Sequence, residues 1–281
     1  MKNKLEKQNM ENQMRAAADW EPLARGILRE PRLFQIGFVG ICEGAGATTV
    51  AAAAAAAIGR QHGRTVFAEG QRPQPGRMRT LDYLGLEQVL KKGKLPIYQD
   101  VNWQIAGFGG RARDVGFENC GRLARGAACE DAAALTPAGG IWILDEPPQA
   151  QWQRCDVLVC VVDPLPARVL AGLARHHCLR TEQKERESRG EHSLLWVMNK
   201  ENPAVDRREL ERFLKIRFDA ALPLLPTEFF YQAAYQEMPW IRSLYAKETL
   251  FQKRDAKTDD FRDAIETLSS AIFSRLPQFV I

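Results

Sequence analysis

The segment Gly40-Ile-Cys-Glu-Gly-Ala-Gly-Ala-Thr-Thr49 gathers small residues and two hydroxyls directly after an apolar run, at the opening of an alanine-rich helical stretch. Glycines in such a turn let backbone N–H groups face a phosphate, and the following helix N-terminus adds more N–H groups and a partial positive charge. A threonine hydroxyl at the first helical position is suited to Mg²⁺. This is the chemistry of a phosphate cradle. Two acids, Asp145 and Glu69, stand at the ends of apolar runs. Plainer readings stand beside these. The loop also suits a turn that needs only small residues, Asp145 a turn before Pro147-Pro148, and Glu69 a strand cap.

A cradle of this kind needs parallel strands whose ends converge. Apolar runs at 34–39, 64–69, 103–108, 140–145, 156–163, 193–199 and 221–225 alternate with helical patterns. Most are continuously apolar, as in parallel strands covered on both faces. Helices are predicted at 48–59, at 206–218 and at 259–276. The second opens with Asp206 and Glu209 at capping-box spacing. The third carries Phe261, Ile265, Leu268, Ile272 and Leu276 on one face and stops at Pro277. The fold class is therefore α/β: a doubly wound, mostly parallel sheet of about seven strands with helices on both faces. Residues 1–33 read as a polar N-terminal arm or helix, and 34–281 as the domain. The charged stretch 180–192 reads as a solvated helix end or loop.

Composition sets outer bounds. Among 281 residues, 45% are apolar and 26% charged, which is ordinary for a globular domain, and the formal charge of +4 does not by itself imply nucleic acid. Six cysteines are scattered singly without a CxxC pair, which fits a reducing, cytoplasmic compartment. The N-terminus lacks the apolar core of a signal peptide, and no stretch reads as a transmembrane helix. His176-His177-Cys178 is discounted as a metal site, because adjacent helical residues point about 100° apart. The basic residues Lys91, Lys92, Lys94, Arg111, Arg113, Arg122 and Arg125 offer weak support for a DNA surface; solvated charge is the simpler reading. The last helix carries Asp259, Asp260, Asp263 and Glu266 on its polar face, so packing against the sheet is expected over membrane anchoring.

The loop resembles the deviant phosphate loop of the ParA/MinD superfamily of P-loop NTPases, Lys-Gly-Gly-x-Gly-Lys-Thr-Thr, through Gly44, Gly46, Thr48 and Thr49. Further matches follow in the family's order. Asp145-Glu-Pro-Pro148 resembles the strand-end Asp-x-Pro-Pro, and Asp156-Val-Leu-Val-Cys-Val-Val162 the next strand. Val197-Met-Asn-Lys200 resembles the strand-end Asn-Arg or Asn-Lys. Leu225-Pro226-Thr227-Glu228 is similar to the segment that closes the base pocket, and Gly85–Leu90 to the short helix after the second strand. The resemblance implies ATP or ADP with Mg²⁺. Gly44, Ala45, Gly46, Ala47, Thr48 and Thr49 would cradle phosphates. Thr48 and Asp145 would serve the metal, Asn199 would read adenine, and Pro226 would border the base. Glu69, the only acid near the place of the family's second aspartate, would activate water or bind Mg²⁺.

This chain departs from the pattern at both lysines. Cys42 stands at the signature lysine, Ala47 at the phosphate-gripping lysine, and Glu43 replaces a glycine with a carboxylate. Losing a single electrostatic donor costs on the order of 10²–10³ in rate. The expectation is a nucleotide-binding regulatory or positioning protein with weak or absent hydrolysis, acting on a protein partner, with a homodimer left open. Two alternatives stand: a pseudo-ATPase interaction scaffold that binds no nucleotide, and a phosphoryl-transfer enzyme for a small metabolite. Glu43 either turns outward to solvent, which is the preferred arrangement, or occupies the loop's own donors.

Overall fold

The computed structural model describes residues 34–62, 65–69, 97–100, 103–106, 140–235, 240–245 and 255–276. The N-terminal arm, the Gly85–Leu90 segment and the seven basic residues named above lie outside them.

The strands are β1 (Phe34–Gly40), β2 (Thr65–Glu69), β3 (Ile97–Asp100), β4 (Trp103–Ala106), β5 (Ile141–Asp145), β6 (Val157–Val162), β7 (Leu194–Glu201) and β8 (Ala220–Pro223). The helices are α1 (Ala47–His62), α2 (Gln149–Trp152), α3 (Pro166–Ser188), α4 (Arg207–Leu214), α5 (Thr227–Tyr235), α6 (Trp240–Leu244) and α7 (Ala256–Arg275). One eight-stranded sheet runs in the order β3-β4-β2-β5-β1-β6-β7-β8. Every pairing is parallel except that of β3 with β4. Each predicted apolar run supplies one of the parallel strands. The additional strand, β3, is only Ile-Tyr-Gln-Asp and pairs antiparallel along the sheet's edge, so it carries no continuous apolar signal.

Strand β1 sits between β5 and β6, where the strand order reverses. In open parallel sheets a crevice forms at that reversal, outside the carboxyl ends of the strands. The loop after β1 is therefore flanked by the end of β5 on one side and the ends of β6 and β7 on the other.

Helix α1 explains its own alanines. Residues Val50–Gly59 are all buried, because the helix lies between the sheet and α7 and has almost no solvent face. Alanine has the highest helix propensity and lets backbones approach closely. Phe261, Ile265, Leu268 and Ile272 of α7 are buried in the same cluster, so the final helix packs inward as its polar face predicts. The opposite face of the sheet packs Val39, Leu158, Cys160, Trp196 and Met198 against Val169 and Leu179 of α3 and Leu210 and Leu214 of α4. All six residues of β6 are buried, as a central parallel strand requires.

Two sequence expectations need correction. Helix α4 begins as predicted, with the Asp206 carboxylate accepting from the Arg208 and Glu209 amides at 2.8 and 3.3 Å. It ends at Leu214, four residues before the expected 218, because Lys215 takes a left-handed conformation with φ 53°. The second concerns part of 180–192, which is the mostly exposed end of a helix as read, but not solvated throughout. Helix α3 runs on to Ser188, and within that charged stretch Glu182 and Arg186 are buried. Arg186 donates to Glu182 Oε1 at 2.8 Å, to Ser193 Oγ at 2.7 Å and to the Trp152 carbonyl. A charge run that looked solvated thus contains the pin holding α3 to the start of β7.

Among the described residues no helix is long and apolar enough to cross a membrane. Cys42, Cys155, Cys160 and Cys178 are free thiols. Burial pushes the Cys155 thiol up to about 12 and raises that of Cys160, so both behave as small core hydrophobes.

Candidate phosphate-binding site

The loop leaves β1 at Gly40 and enters α1 at Ala47. Its path depends on two glycines in left-handed conformation, Gly44 at φ +76° and Gly46 at φ +87°. The Ala45 amide turns back to the Cys42 carbonyl at 3.2 Å, and the Val50 amide donates to the Gly46 carbonyl at 3.1 Å, starting the helix.

Side chains from outside the loop hold its consecutive carbonyl oxygens. Arg168 Nη1 donates to the Glu43 carbonyl at 2.6 Å. Lys200 Nζ donates to the Gly44 carbonyl at 2.7 Å. Asn199 Nδ2 donates to the Ala45 carbonyl at 2.9 Å. A peptide unit is planar and trans, so a carbonyl turned toward this clamp turns the next residue's N–H away from it. The Gly44 N–H consequently points away from Arg168 and the Gly46 N–H away from Asn199, while the Ala45 N–H between them is taken by the Cys42 carbonyl. Backbone amides presented by left-handed residues are the donors of anion-binding concavities.

Each clamp residue reaches the loop for a local reason. Arg168 lies in the first turn of α3, which starts with Pro166 at its N-terminus. One turn later Gly172 lies so close to Ile41 that an added Cβ would stand 2.9 Å from its side chain and 3.0 Å from its carbonyl. That approach brings the start of α3 against the loop. Asn199 and Lys200 are sequence neighbours, and in a regular strand they would point to opposite faces. Here β7 carries a bulge: Asn199 pairs with Leu222 and Glu201 with Pro223, leaving Lys200 as the extra residue. Lys200 adopts φ +60°, which costs a non-glycine residue roughly 1 kcal/mol or more. The bulge turns both side chains onto the loop.

Lys200 Nζ also meets Asp163 Oδ2 at 2.7 Å, and the other Asp163 oxygen accepts from the Leu165 amide at 3.0 Å. Asp163 is 7% exposed and Lys200 34%. Across the loop, Glu146 is left-handed at φ 52°. Its carboxylate accepts from the Gly40 amide at 2.8 Å and from Arg175 at 2.7 Å.

The acid predicted from sequence lies at the helix start. The Thr48 hydroxyl donates to Asp145 Oδ2 at 2.9 Å, and Asp145 is 4% exposed. Parallel pairing of Phe38 with Asp145 sets this register. Glu69 pairs with Asp145 on the neighbouring strand, so the backbone brings both acids to one end of the sheet. Thr49 is half-buried beside Thr48, while Ala47 is buried. Asn199 is also buried, with its amide against the loop, and a Cβ on Gly46 would collide with it. Pro226 follows β8 at the start of α5, at the far end of the β1-β6-β7-β8 series. Glu43 is exposed at the apex of the loop.

Cys42, which aligns with the signature lysine of the resembled loop pattern, is partly buried among charged neighbours. Burial raises its thiol pKa, and Asp163 and Glu146 add to that effect, while Arg168 and Lys200 oppose it. Sequence reading missed Arg168, Arg175, Lys200, Asp163 and Glu146. For Lys200 and Glu146 the signal was their place directly after a candidate strand-end residue, at Asn199 and Asp145. Asp163 ends the apolar run 156–163; Arg168 and Arg175 had no signal.

No protein-family model matches the sequence, and no curated protein matches it. Solved structures do match in fold. A ParA family ATPase from Chlorobium tepidum superposes with a TM-score of 0.55 at 14% identity, covering 85% of this chain and 98% of the other. A MinC:MinD cell division protein complex from Aquifex aeolicus gives 0.56 at 11% identity over 88% and 98%. The septum site-determining protein MinD from Pyrococcus horikoshii, complexed with Mg-ADP, gives 0.51 at 14% over 86% and 96%. The chain has the ParA/MinD-type P-loop fold.

Proposed function

We propose that this chain is a cytoplasmic nucleotide-binding protein of ParA/MinD architecture that regulates or positions a protein partner and hydrolyses ATP weakly. One observation carries the reading. The Thr48 hydroxyl and the buried Asp145 carboxylate are joined at the first turn of α1, where the loop enters the helix through left-handed Gly44 and Gly46. A structural turn would need the small residues but not a buried acid on the helix's first hydroxyl.

The residues present fit a nucleotide with Mg²⁺. Residues Gly44–Thr49 would hold phosphate oxygens through backbone N–H groups and the helix N-terminus. Thr48 and Asp145 would hold the metal's ligand sphere. Asn199, with its amide on Ala45, would border the site from β7, and Pro226 would border the base. When bound, the metal neutralises phosphate charge; the chain's own contribution is to position the phosphates and exclude water. Ala47 is buried with no cation to offer, so turnover falls well below the ordinary rate of about 1 s⁻¹ or more.

A scaffold that binds no nucleotide has one observation in its favour: the clamp holds the loop's carbonyl side with protein groups alone. Calorimetric titration with ATP·Mg²⁺ and ADP·Mg²⁺, with phosphate release measured on the same preparation, separates the readings. Saturable heat with near-background turnover supports the proposal. An absence of heat selects the scaffold, and turnover at an ordinary rate contradicts the weak-hydrolysis assignment.

A further inference from the structure

We infer that residues 20–30, in the arm that precedes β1, dock on the exposed apolar face of α3 beside the phosphate loop. The contact lies within the chain and holds whether or not nucleotide binds.

The face stands out against the rest of α3. At the start of the helix Leu165, Leu170 and Leu173 are 55%, 61% and 38% exposed, and Ala167, Ala171 and Ala174 are exposed among them. Further along, the exposed positions carry Thr181, Lys184, Glu185 and Ser188, as a solvated helix face should. A contiguous apolar surface confined to one stretch of a helix is a site of contact.

Length and composition select what covers it. Residues 1–33 precede β1 and lie outside the described residues. Their first part is polar, but Trp20, Leu23, Ala24 and Ile27 recur at i, i+3, i+4 and i+7, one face of a helix. Asp19 is a capping residue for such a helix, Pro22 falls in its first turn where proline is tolerated, and Pro31 stops it. A helix this short does not hold alone in water, so its apolar face needs a surface to pack on.

The arm also starts in the right place. Arg186, near the end of α3, donates to the Trp152 carbonyl. Close by in the chain, the Asp156 amide donates to the Gln35 carbonyl at 2.7 Å, and the Gln35 amide donates to the Asp156 carboxylate at 2.8 Å. The start of β1 therefore lies near the foot of α3. From Arg186 back to Leu170 the helix rises about 24 Å. Residues 31–33 extended and 20–30 helical span about 27 Å, which lays Trp20 and Leu23 along the leucines.

Charge favours the same occupant. Between Leu165 and Thr181 the helix carries Arg168, Arg175 and Arg180 and no carboxylate. A second copy pairing this face with itself would set arginine against arginine. The arm segment instead brings Asp19, Glu21 and Glu30 with Arg25 and Arg29, an acidic balance.

The test places the photo-cross-linker benzoylphenylalanine at Leu170 of the full-length chain, an exposed position that tolerates it. Light and isotopically heavy protein are mixed before irradiation, and the cross-linked peptides are mapped by mass. Cross-links to residues 20–30 are expected, light with light and heavy with heavy only. Mixed pairs give the face to a second copy, cross-links elsewhere in the chain give it to another segment, and an absence of cross-links leaves it to solvent. Each of these three outcomes overturns the inference. A second measurement alters only the arm: in W20D/L23D/I27D, amide exchange of residues 165–174 should quicken severalfold over the wild type. Exchange at the wild-type rate shows that the arm does not cover the face and sinks the inference.

Discussion

The Thr48 hydroxyl and the Asp145 carboxylate, 97 positions apart in sequence, meet at 2.9 Å and tie the first turn of α1 to the end of β5. The contact follows from topology. Strand β5 inserts beside β1, and the Phe38–Asp145 register brings the acid level with the loop's exit. The bond holds the helix start. Under the proposed nucleotide-binding reading, the same two oxygens would serve the metal's ligand sphere.

Removing either partner should therefore have separable effects on stability and on metal dependence. T48V keeps shape but removes the donor to a charged acceptor, and should lower unfolding stability by about 1.5–3 kcal/mol in urea titrations. D145N keeps volume but removes the charge. For the wild type, chelating Mg²⁺ should weaken ATP binding about tenfold or more, whereas D145N should bind with the same low affinity with or without the metal. If D145N retains the full response to Mg²⁺, Asp145 is a turn residue and the metal lies elsewhere.

Away from the site, Arg186 makes the sharpest stability prediction. Its guanidinium is 2% exposed and bonds Glu182, Ser193 and the Trp152 carbonyl. R186M leaves Glu182 buried with its partner gone, and should cost about 3–5 kcal/mol in denaturant unfolding. The double variant E182L/R186M removes both charges and should be clearly more stable than R186M. Should the double variant be as unstable as the single one, the uncompensated carboxylate is not the cause, and the lost bonds to Ser193 and Trp152 are.

These residues also mark how far the sequence could be read. Continuous apolar runs located each parallel strand, because a strand covered on both faces has no polar positions to hide among. The Thr48–Asp145 pair was legible because each acts from the end of an element whose type was plain. Arg186 was misread because local charge density outweighed periodicity. Yet Val169, Gly172, Leu179, Glu182 and Arg186 follow helical spacing along one buried face of α3, so the inward stripe continues through the charged run. Arg168 was illegible for a different reason: the close packing of Gly172 on Ile41 decides where it points, and that is not written in a hydrophobic pattern. Lys200 was read only as the end of the Asn-Lys match, because the bulge that turns it onto the loop is not written in the pattern either.

Glu43 is the remaining departure from the phosphate-loop pattern, and the structure gives it a specific prediction. A carboxylate facing the cradle would repel phosphate, since like charges within about 4–6 Å disfavour each other. Glu43 lies exposed at the apex, with its carbonyl held by Arg168 at 2.6 Å. A charge on an exposed residue is weakened by screening, whose length is about 8 Å at physiological salt. Two substitutions separate charge from backbone effects. E43Q removes the charge and keeps the chain's stiffness. E43G also adds the conformational freedom of glycine, worth roughly 0.5–1 kcal/mol in the ordering of the loop. E43Q should bind ATP·Mg²⁺ within about twofold of wild type at physiological salt, a difference under roughly 0.5 kcal/mol. E43G should bind equally or slightly more weakly, in proportion to the added freedom. If E43Q instead gains about tenfold or more in calorimetry, with the gain fading as salt is raised, the carboxylate faces the phosphates and the outward arrangement is wrong.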